Sequence, residues 1–344
     1  MRISRSSKIR LIIAAVIVLA AAVLGGAWYF IHGVGTPEKT MEIVQKAAAS
    51  HDVKTFEKYV DVDTIADVMS DGMVEGLIES DRSLSGDTRD AMSGFVDMFK
   101  SPIKASLKNA IMSYVKTGSF EGNSALSADE MIILQKTGLD DIELKSVKGV
   151  YKSSDNEATA DVLAYSREAD SEFTFTLLLE KGDEGFFRIK KVTNFKEYID
   201  FVMAARKNRL VKYMGESHDI IDKYDDVIKD ADKKLIEIMH RGSLGDDSVR
   251  SEMRDIMAND VLEGWKNTKN DLSALDVPEG AETYHRILLK VCDSRIQYAE
   301  AYIEWLGNKD AKTIHKSNEA LKTAQTLEKE AKLLEEKIKK RIGE

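Results

Sequence analysis

The sequence predicts an α+β protein: an N-terminal transmembrane helix, helices packed on a four-stranded antiparallel meander, then an antiparallel α-helical bundle. Three observations predict it. Residues Leu11 to Ile31 form an uncharged apolar run. The apolar period changes from 3.6 to 2 between residues 142 and 192. It then returns to 3.6 for the rest of the chain, and the whole sequence has only 3 prolines to interrupt helices.

Taken in order, the first element is the apolar run, LIIAAVIVLAAAVLGGAWYFI. As a helix it spans about 30 Å, the thickness of a bilayer's hydrocarbon core. Arg2, Arg5, Lys8 and Arg10 precede it without an acid among them. Cations resist translocation, so residues 1–10 are expected as a cytoplasmic tail, 11–31 as a transmembrane helix in the lipid bilayer, and the remainder outside the cytoplasm. Trp28 and Tyr29 sit where amphipathic rings favour the interface. A cleaved secretory signal is the competing reading, with small residues in Leu19–Val23. The run continues to Ile31, beyond the usual signal core of about 7–15 residues. No Cys directly follows it, which excludes lipoprotein processing.

Composition bounds the rest of the chain. Hydrophobic residues are 43% and charged residues 32%, so the bulk is neither disordered nor a multi-span membrane protein. The net charge is −9 although the first ten residues carry only cations, so the outer part is acidic. That balance argues against a nucleic-acid partner. A single cysteine, Cys292, allows neither an intrachain disulfide nor a Cys-based metal cluster.

An α+β domain is expected over 36–195. Gly33 to Pro37 reads as a linker, with Thr36 as cap and Pro37 in the first helical turn. Met41, Val44, Ala47 and Ala48 recur at helical spacing. Asp52 caps a second helix with Phe56, Tyr59 and Val60 inward. Asp63 starts a third, with Ile65, Val68, Met69, Met73 and Leu77 on one stripe. Leu84–Asp87 breaks the pattern. From Thr88 a fourth stripe runs through Met92, Phe95, Phe99, Ile103, Leu107, Ile111 and Tyr114, with a kink or break expected at Pro102. Asp140-Asp141 bounds the first strand. Ile142, Leu144 and Ser146 alternate, and Val147 to Tyr151 continue after a slip. A turn at Ser153–Asn156 leads to Ala158, Ala160, Val162 and Ala164, then to Phe173, Phe175, Leu177 and Leu179. Lys181–Gly185 is a hairpin link to Phe187, Ile189 and Lys191, with Val192 after them. Short links imply an antiparallel meander, and its single apolar face calls for the helices as cover.

Helices followed by a four-stranded meander resemble the cystatin-like and nuclear-transport-factor-like cone folds. The segment Phe56–Val62 with Ile65 after it, following Ala48–Asp52, is similar to an uncharacterised family of bacterial single-span membrane-anchored proteins. The resemblance covers residues 36–200. It implies a short helix before a Tyr-Val-Asp step and a small meander, and it carries over no catalytic residue. Cone folds host enzymes and binding modules alike.

Residues 196–344 are expected as an up-down bundle. The first helix runs from Glu197 to about Arg241, with Gly242 and Gly245 ending it. Asp246 or Asp247 caps a second with Val249, Met253, Met257, Val261, Trp265, Leu272 and Leu275 inward. Pro278 opens a third with Tyr284, Leu288, Val291, Ala299, Tyr302 and Leu306 inward, closed by Gly307-Asn308. Asp310 begins a fourth, with Ile314, Leu321, Ala324, Leu327, Ala331, Leu334 and Ile338 inward and charges outside. An intermolecular coiled coil is the alternative for this last helix.

Candidate chemistry is sparse. Among six histidines no pair has metal spacing; His218 lies among Glu216, Asp219 and Asp222, and a helix would put 218 and 222 on one side. Asp225-Asp226 and Asp246-Asp247 lack a calcium loop's spacing. No Gly-x-Ser-x-Gly elbow occurs, and the Gly33-Val34-Gly35 step is explained by the linker. Cys292 falls on an apolar stripe and reads as a buried small hydrophobe. Met69, Met73, Met92 and Met98 read as core, with an adaptable groove as the alternative. No catalytic, cofactor-binding or metal residue is therefore assigned. The expected role is non-catalytic binding or scaffolding in the cell envelope, with an envelope protein or small apolar ligand as partner. The alternatives are an extracytoplasmic hydrolase or isomerase drawing on Asp61, Asp63 or Asp161, and a ligand sensor relaying through the bundle.

Overall fold

The computed structural model describes residues 35–80, 86–117, 135, 137–139 and 142–343. The chain is a mixed α+β protein and divides into two units between Ala205 and Arg206. The expected tail, 1–10, and membrane helix, 11–31, lie outside the described residues. Among the described residues no helix is long and apolar enough to cross a membrane.

In the first unit, α1 (Pro37–Ala49) starts as its sequence dictates. Thr36 Oγ1 accepts from the Lys39 amide at 3.3 Å and Pro37 occupies the first turn, where an N–H would have no partner. Its inward face is Met41, Val44, Ala47 and Ala48, and the buried Thr40 hydroxyl donates to the Phe187 carbonyl at 2.9 Å. In α2 (Val53–Tyr59), Asp52 accepts from both the amide and the hydroxyl of Thr55, and Phe56 is fully buried. Val60 then forms a one-residue parallel bridge to Ile189. That bridge moves the next helix start: α3 begins at Val62 and runs to Ser80, and Asp61, not Asp63, accepts from the Thr64 amide at 3.2 Å.

Of the kink or break expected at Pro102, the break does not occur: α4 (Gly86–Thr117) continues through it. α3 and α4 run antiparallel, as three ion pairs in steps of four residues record: Asp63–Lys108, Asp67–Lys104 and Asp71–Lys100, at 2.7, 2.9 and 2.6 Å. These half-exposed pairs contribute only about 0.2–1 kcal/mol each. The apolar side, with Ile65, Met69, Met73, Leu107 and Ile111 buried, supplies most of the attraction. Side chains of Met92, Met98, Phe95, Phe99 and Tyr114, and Asp140-Asp141, lie outside the described residues.

Strands β1 (Ile142–Lys152), β2 (Glu157–Ser166), β3 (Ser171–Lys181) and β4 (Phe187–Val192) form an antiparallel sheet in the order β1-β2-β3-β4. β1 slips twice, between Leu144 and Ser146 and between Val147 and Gly149. Ala158, Ala160, Val162 and Ala164 are all fully buried, as are Phe175, Leu177 and Leu179 to within 1%. In β4 the expected alternation through Lys191 is corrected. Leu178 and Leu179 face Lys191 and Ile189, so Lys190 is an extra, bulged residue and Val192 turns inward.

α5 (Phe195–Arg241) begins in this unit and continues into the second. Its first turns bury Phe195, Tyr198, Ile199 and Val202. Gly76 of α3 permits that packing, because a Cβ there would lie 2.6 Å from Ile199 Cγ2.

The second unit comprises the rest of α5, then α6 (Asp247–Ile256), a π-helical turn (Met257–Leu262), α7 (Glu263–Ser273), α8 (Glu282–Asn308) and α9 (Ala311–Ile342). The single second helix expected is thus interrupted by a π turn. α8 starts at Glu282 rather than at Pro278, whose carbonyl instead accepts from Ala281 in a preceding turn. Asp246 stands at the start of α6 without a side-chain cap bond, whereas Asp310 accepts from Lys312 at the start of α9. Contacts fix the helix directions. Tyr224–Asp271, Lys234–Asp260 and Arg241–Glu252 set α5 antiparallel to α6 and α7, and Arg295–Glu328 with Ser317–Tyr298 sets α8 antiparallel to α9.

Candidate functional site

The inner face of the sheet is filled by core, so any chemistry on it belongs to the outer face. Register places the outer side chains in rows. Tyr151, Thr159, Leu178 and Lys191 make one row across all four strands; Gly149, Asp161 and Thr176 make the next. Ser146, Leu163 and Thr174 follow, then Glu143, Tyr165 and Glu172. Residues 159, 161, 163, 165, 174, 176 and 178 are all half-buried, as expected of side chains flanked by neighbouring strands.

Tyr151 is 55% exposed, and its ring rests on bare backbone. A Cβ at Gly149 would lie 2.5 Å from the Tyr151 hydroxyl, so a larger residue there would turn the exposed ring aside. Opposite Gly149, the Asp161 carboxylate accepts from Thr176 Oγ1 at 2.9 Å. The Lys148 ammonium reaches Thr174 Oγ1 at 3.3 Å. At the far end Lys145 lies over the Tyr165 ring, 5.4 Å from its centroid, and donates to Glu143 at 3.1 Å. The hydrogen bond from Lys145 holds the Glu143 carboxyl below its ordinary value, with Arg167 assisting. The surface therefore offers an aromatic plate, carboxylates and hydroxyls on one rigid sheet.

The second unit holds a polar network within its core. The buried Tyr213 hydroxyl lies 3.0 Å from His285 Nδ1. Burial raises both the Tyr213 and Tyr284 phenols, so each remains protonated. His218 does not gather with Asp219 and Asp222, which are exposed; it turns to Glu335 of α9, Nε2 to Oε1 3.2 Å. Lys339 also donates to Glu335 at 2.6 Å. Burial alone would raise the Glu335 carboxyl, but Lys339 and His218 together bring it below its ordinary value. Among the described residues no group of three His, Cys, Asp or Glu is placed to hold a metal ion.

Burial lowers the His285 imidazole, because a charged ring would be poorly solvated there. The unfolded ring takes a proton at higher pH than the folded one. Its stability contribution is therefore present above the unfolded value and falls as pH drops through it. The urea midpoint of the second unit should decline between pH 7.5 and 5, and His285→Gln should flatten that decline. An identical decline in the variant would assign the acid sensitivity elsewhere.

The other sequence candidates are engaged in structure. Asp61 caps α3 and pairs with bulged Lys190 at 2.9 Å. Burial opposes its charge, yet Lys190 and Thr64 together hold its carboxyl below the ordinary value. Asp63 belongs to the α3–α4 ladder, and Met69 and Met73 are core. Cys292 is buried and its thiol pushed up to about 12, first by burial and then by Asp293, so it is not a thiolate nucleophile. The Gly149–Tyr151–Asp161 arrangement is not visible in the sequence pattern. Its one signal is an isolated glycine inside a strand.

No protein-family model, curated protein or solved structure significantly matches the chain.

Proposed function

We propose that the protein is a single-pass, membrane-anchored extracytoplasmic protein of the cell envelope with a non-catalytic binding or scaffolding role. In this reading residues 11–31 cross the bilayer, residues 1–10 stay in the cytoplasm, and a cone-like α+β domain and a helical bundle lie beyond it. The cations before Leu11 and the apolar run itself support the placement. The observation that carries the binding role is Tyr151, seated on Gly149 beside Asp161 and in line with Leu178. An exposed aromatic ring on a rigid support loses little conformational freedom when it is covered, which suits an anchor for an envelope protein or a small apolar ligand.

Two measurements test it. Protease added to intact spheroplasts should digest the chain beyond the span, as it would after lysis; protection until lysis would remove the placement. A photo-crosslinking residue at Lys191 should capture an envelope protein, and Tyr151→Ala should lower that yield about tenfold, the typical loss for an aromatic anchor. An undiminished yield would remove Tyr151 from the role.

A further inference from the structure

The second unit has two apolar cores. One is built on Tyr213, Leu272, Tyr284, Leu288, Ala331 and Ile338. The other is built on Ala231, Ile238, Met253, Met257, Val261 and Leu306. Trp265 is the large side chain packed partly against both.

Between them the inward positions of α7 and α8 are small or charged, while Ile228 of α5 is a buried apolar residue. On α8, Ser294 and Arg295 stand between Cys292 of one core and Ala299 of the other. On α7 the inward residues are Gly264 and Thr268, and the Thr268 hydroxyl turns back to the Gly264 carbonyl at 2.9 Å. Gly264 lets Ile228 of α5 approach: a Cβ there would lie 3.2 Å from Ile228 Cγ1. Arg295 Nε and Nη2 both donate to Glu328 Oε1 of α9, at 2.8 and 2.6 Å. The guanidinium lies over the Trp265 ring, 5.5 Å from its centroid. Asp232 of α5 feels this charge: burial raises its carboxyl and Arg295 pulls it back.

Cooperativity passes between packed groups through dry contact. A hydrogen-bonded ion pair transmits little of it, because water replaces its partners when the helices part. The Met257 half also contains the π turn, Met257–Leu262, whose hydrogen bonding is less regular than an α-helix provides. We propose that the Arg295 layer is a hinge plane dividing the bundle into two cooperative halves, and that the Met257 half opens as a unit while the Tyr213 half stays folded. This does not rest on the binding role above. Opening would bare Met253, Met257, Ile238 and Leu306, an adaptable apolar surface hidden in the closed form.

Hydrogen exchange on the full chain in detergent micelles tests this. Amides of Met253–Val261 and of 299–306 should exchange as one group, with a common urea dependence and protection about tenfold or more below that of 284–292 and 331–338. Arg295→Met, which puts an apolar side chain of similar reach across the layer, should narrow that gap by joining the cores. Equal protection in both halves, a smooth gradient from the helix ends, or a gap unchanged in a folded Arg295→Met protein would each overturn the proposal. Should that variant fail to fold, the wild-type grouping decides alone.

Discussion

Replacing Tyr198 by alanine should destabilise the first unit by about 3–5 kcal/mol, the largest single effect expected there. Tyr198 is fully buried and is one of the bulkiest side chains so placed. Its ring centroid lies 4.9 Å from Phe175, 5.4 Å from Phe173 and 5.9 Å from Phe195. It thus joins the inner face of β3 to the start of α5, and truncation would leave a cavity between elements that are each anchored elsewhere. Its hydroxyl donates to the Gly138 carbonyl at 2.9 Å. Gly138 has φ +66°, and a Cβ there would lie 2.9 Å from Val202 Cγ1, so the position requires glycine. Tyr198→Phe keeps the ring and strands the carbonyl, for an expected loss of about 1–2 kcal/mol. Urea unfolding, followed by exchange of β2 and β3 amides so that only the first unit is read, measures both. A loss under about 1 kcal/mol for the alanine variant would show that the aromatic cluster does not hold α5 to the sheet.

The sheet is legible in the sequence because a half-covered antiparallel strand leaves its period on the chain, and Ala158–Ala164 leave it without a gap. Helix starts are legible where the cap is local, as at Thr36, Asp52 and Asp310. The start of α3 is not. Asp61 and Asp63 are equally good caps in sequence, and the choice falls to the Val60–Ile189 bridge, a contact between segments far apart. The phase of β4 is ambiguous for a similar reason: Ile189-Lys190-Lys191-Val192 reads in either alternation until the facing strand selects Lys190 as the bulge.

The π turn, by contrast, does leave a trace in the sequence. Met253, Met257, Val261 and Trp265 follow in steps of four throughout. In a straight α-helix each such step turns the stripe by about 40°, carrying it off the core. One wider turn brings it back, and Met257–Leu262 is where it occurs. His218 shows a different limit of sequence spacing. Its neighbours Asp219 and Asp222 are exposed on its own helix, and its partner Glu335 lies on another. Helical spacing shows which side chains share a face but not which helix that face meets. Sites assembled across elements, such as Tyr151 with Asp161 or Arg295 with Glu328, fall outside what such spacing can report.

Arg250→Ala should destabilise the second unit by about 3 kcal/mol, although it removes a surface-type residue from a helix start. Its guanidinium is almost wholly buried and fully committed. Nε donates to the Leu306 carbonyl at 3.1 Å, and Nη1 to those of Leu244 and Gly245 at 2.6 and 3.0 Å, while Nη2 pairs with Asp247. Leu306 lies in the last turn of α8, where carbonyls have no helical partner. Leu244 and Gly245 lie in the turn that joins α5 to α6. One planar fork therefore closes a helix end and a connection at once. Its loss leaves three carbonyls to find water, beside a cavity the size of the side chain. Lysine supplies the charge without the fork and should recover less than half of the loss. Asp247, 92% exposed, should matter little: Asp247→Ala is expected to change stability by under about 1 kcal/mol. Thermal and urea unfolding of the three variants separates the contributions. If Arg250→Lys restored full stability, or Asp247→Ala matched Arg250→Ala, the ion pair rather than the carbonyl clasp would be what holds this end of the bundle.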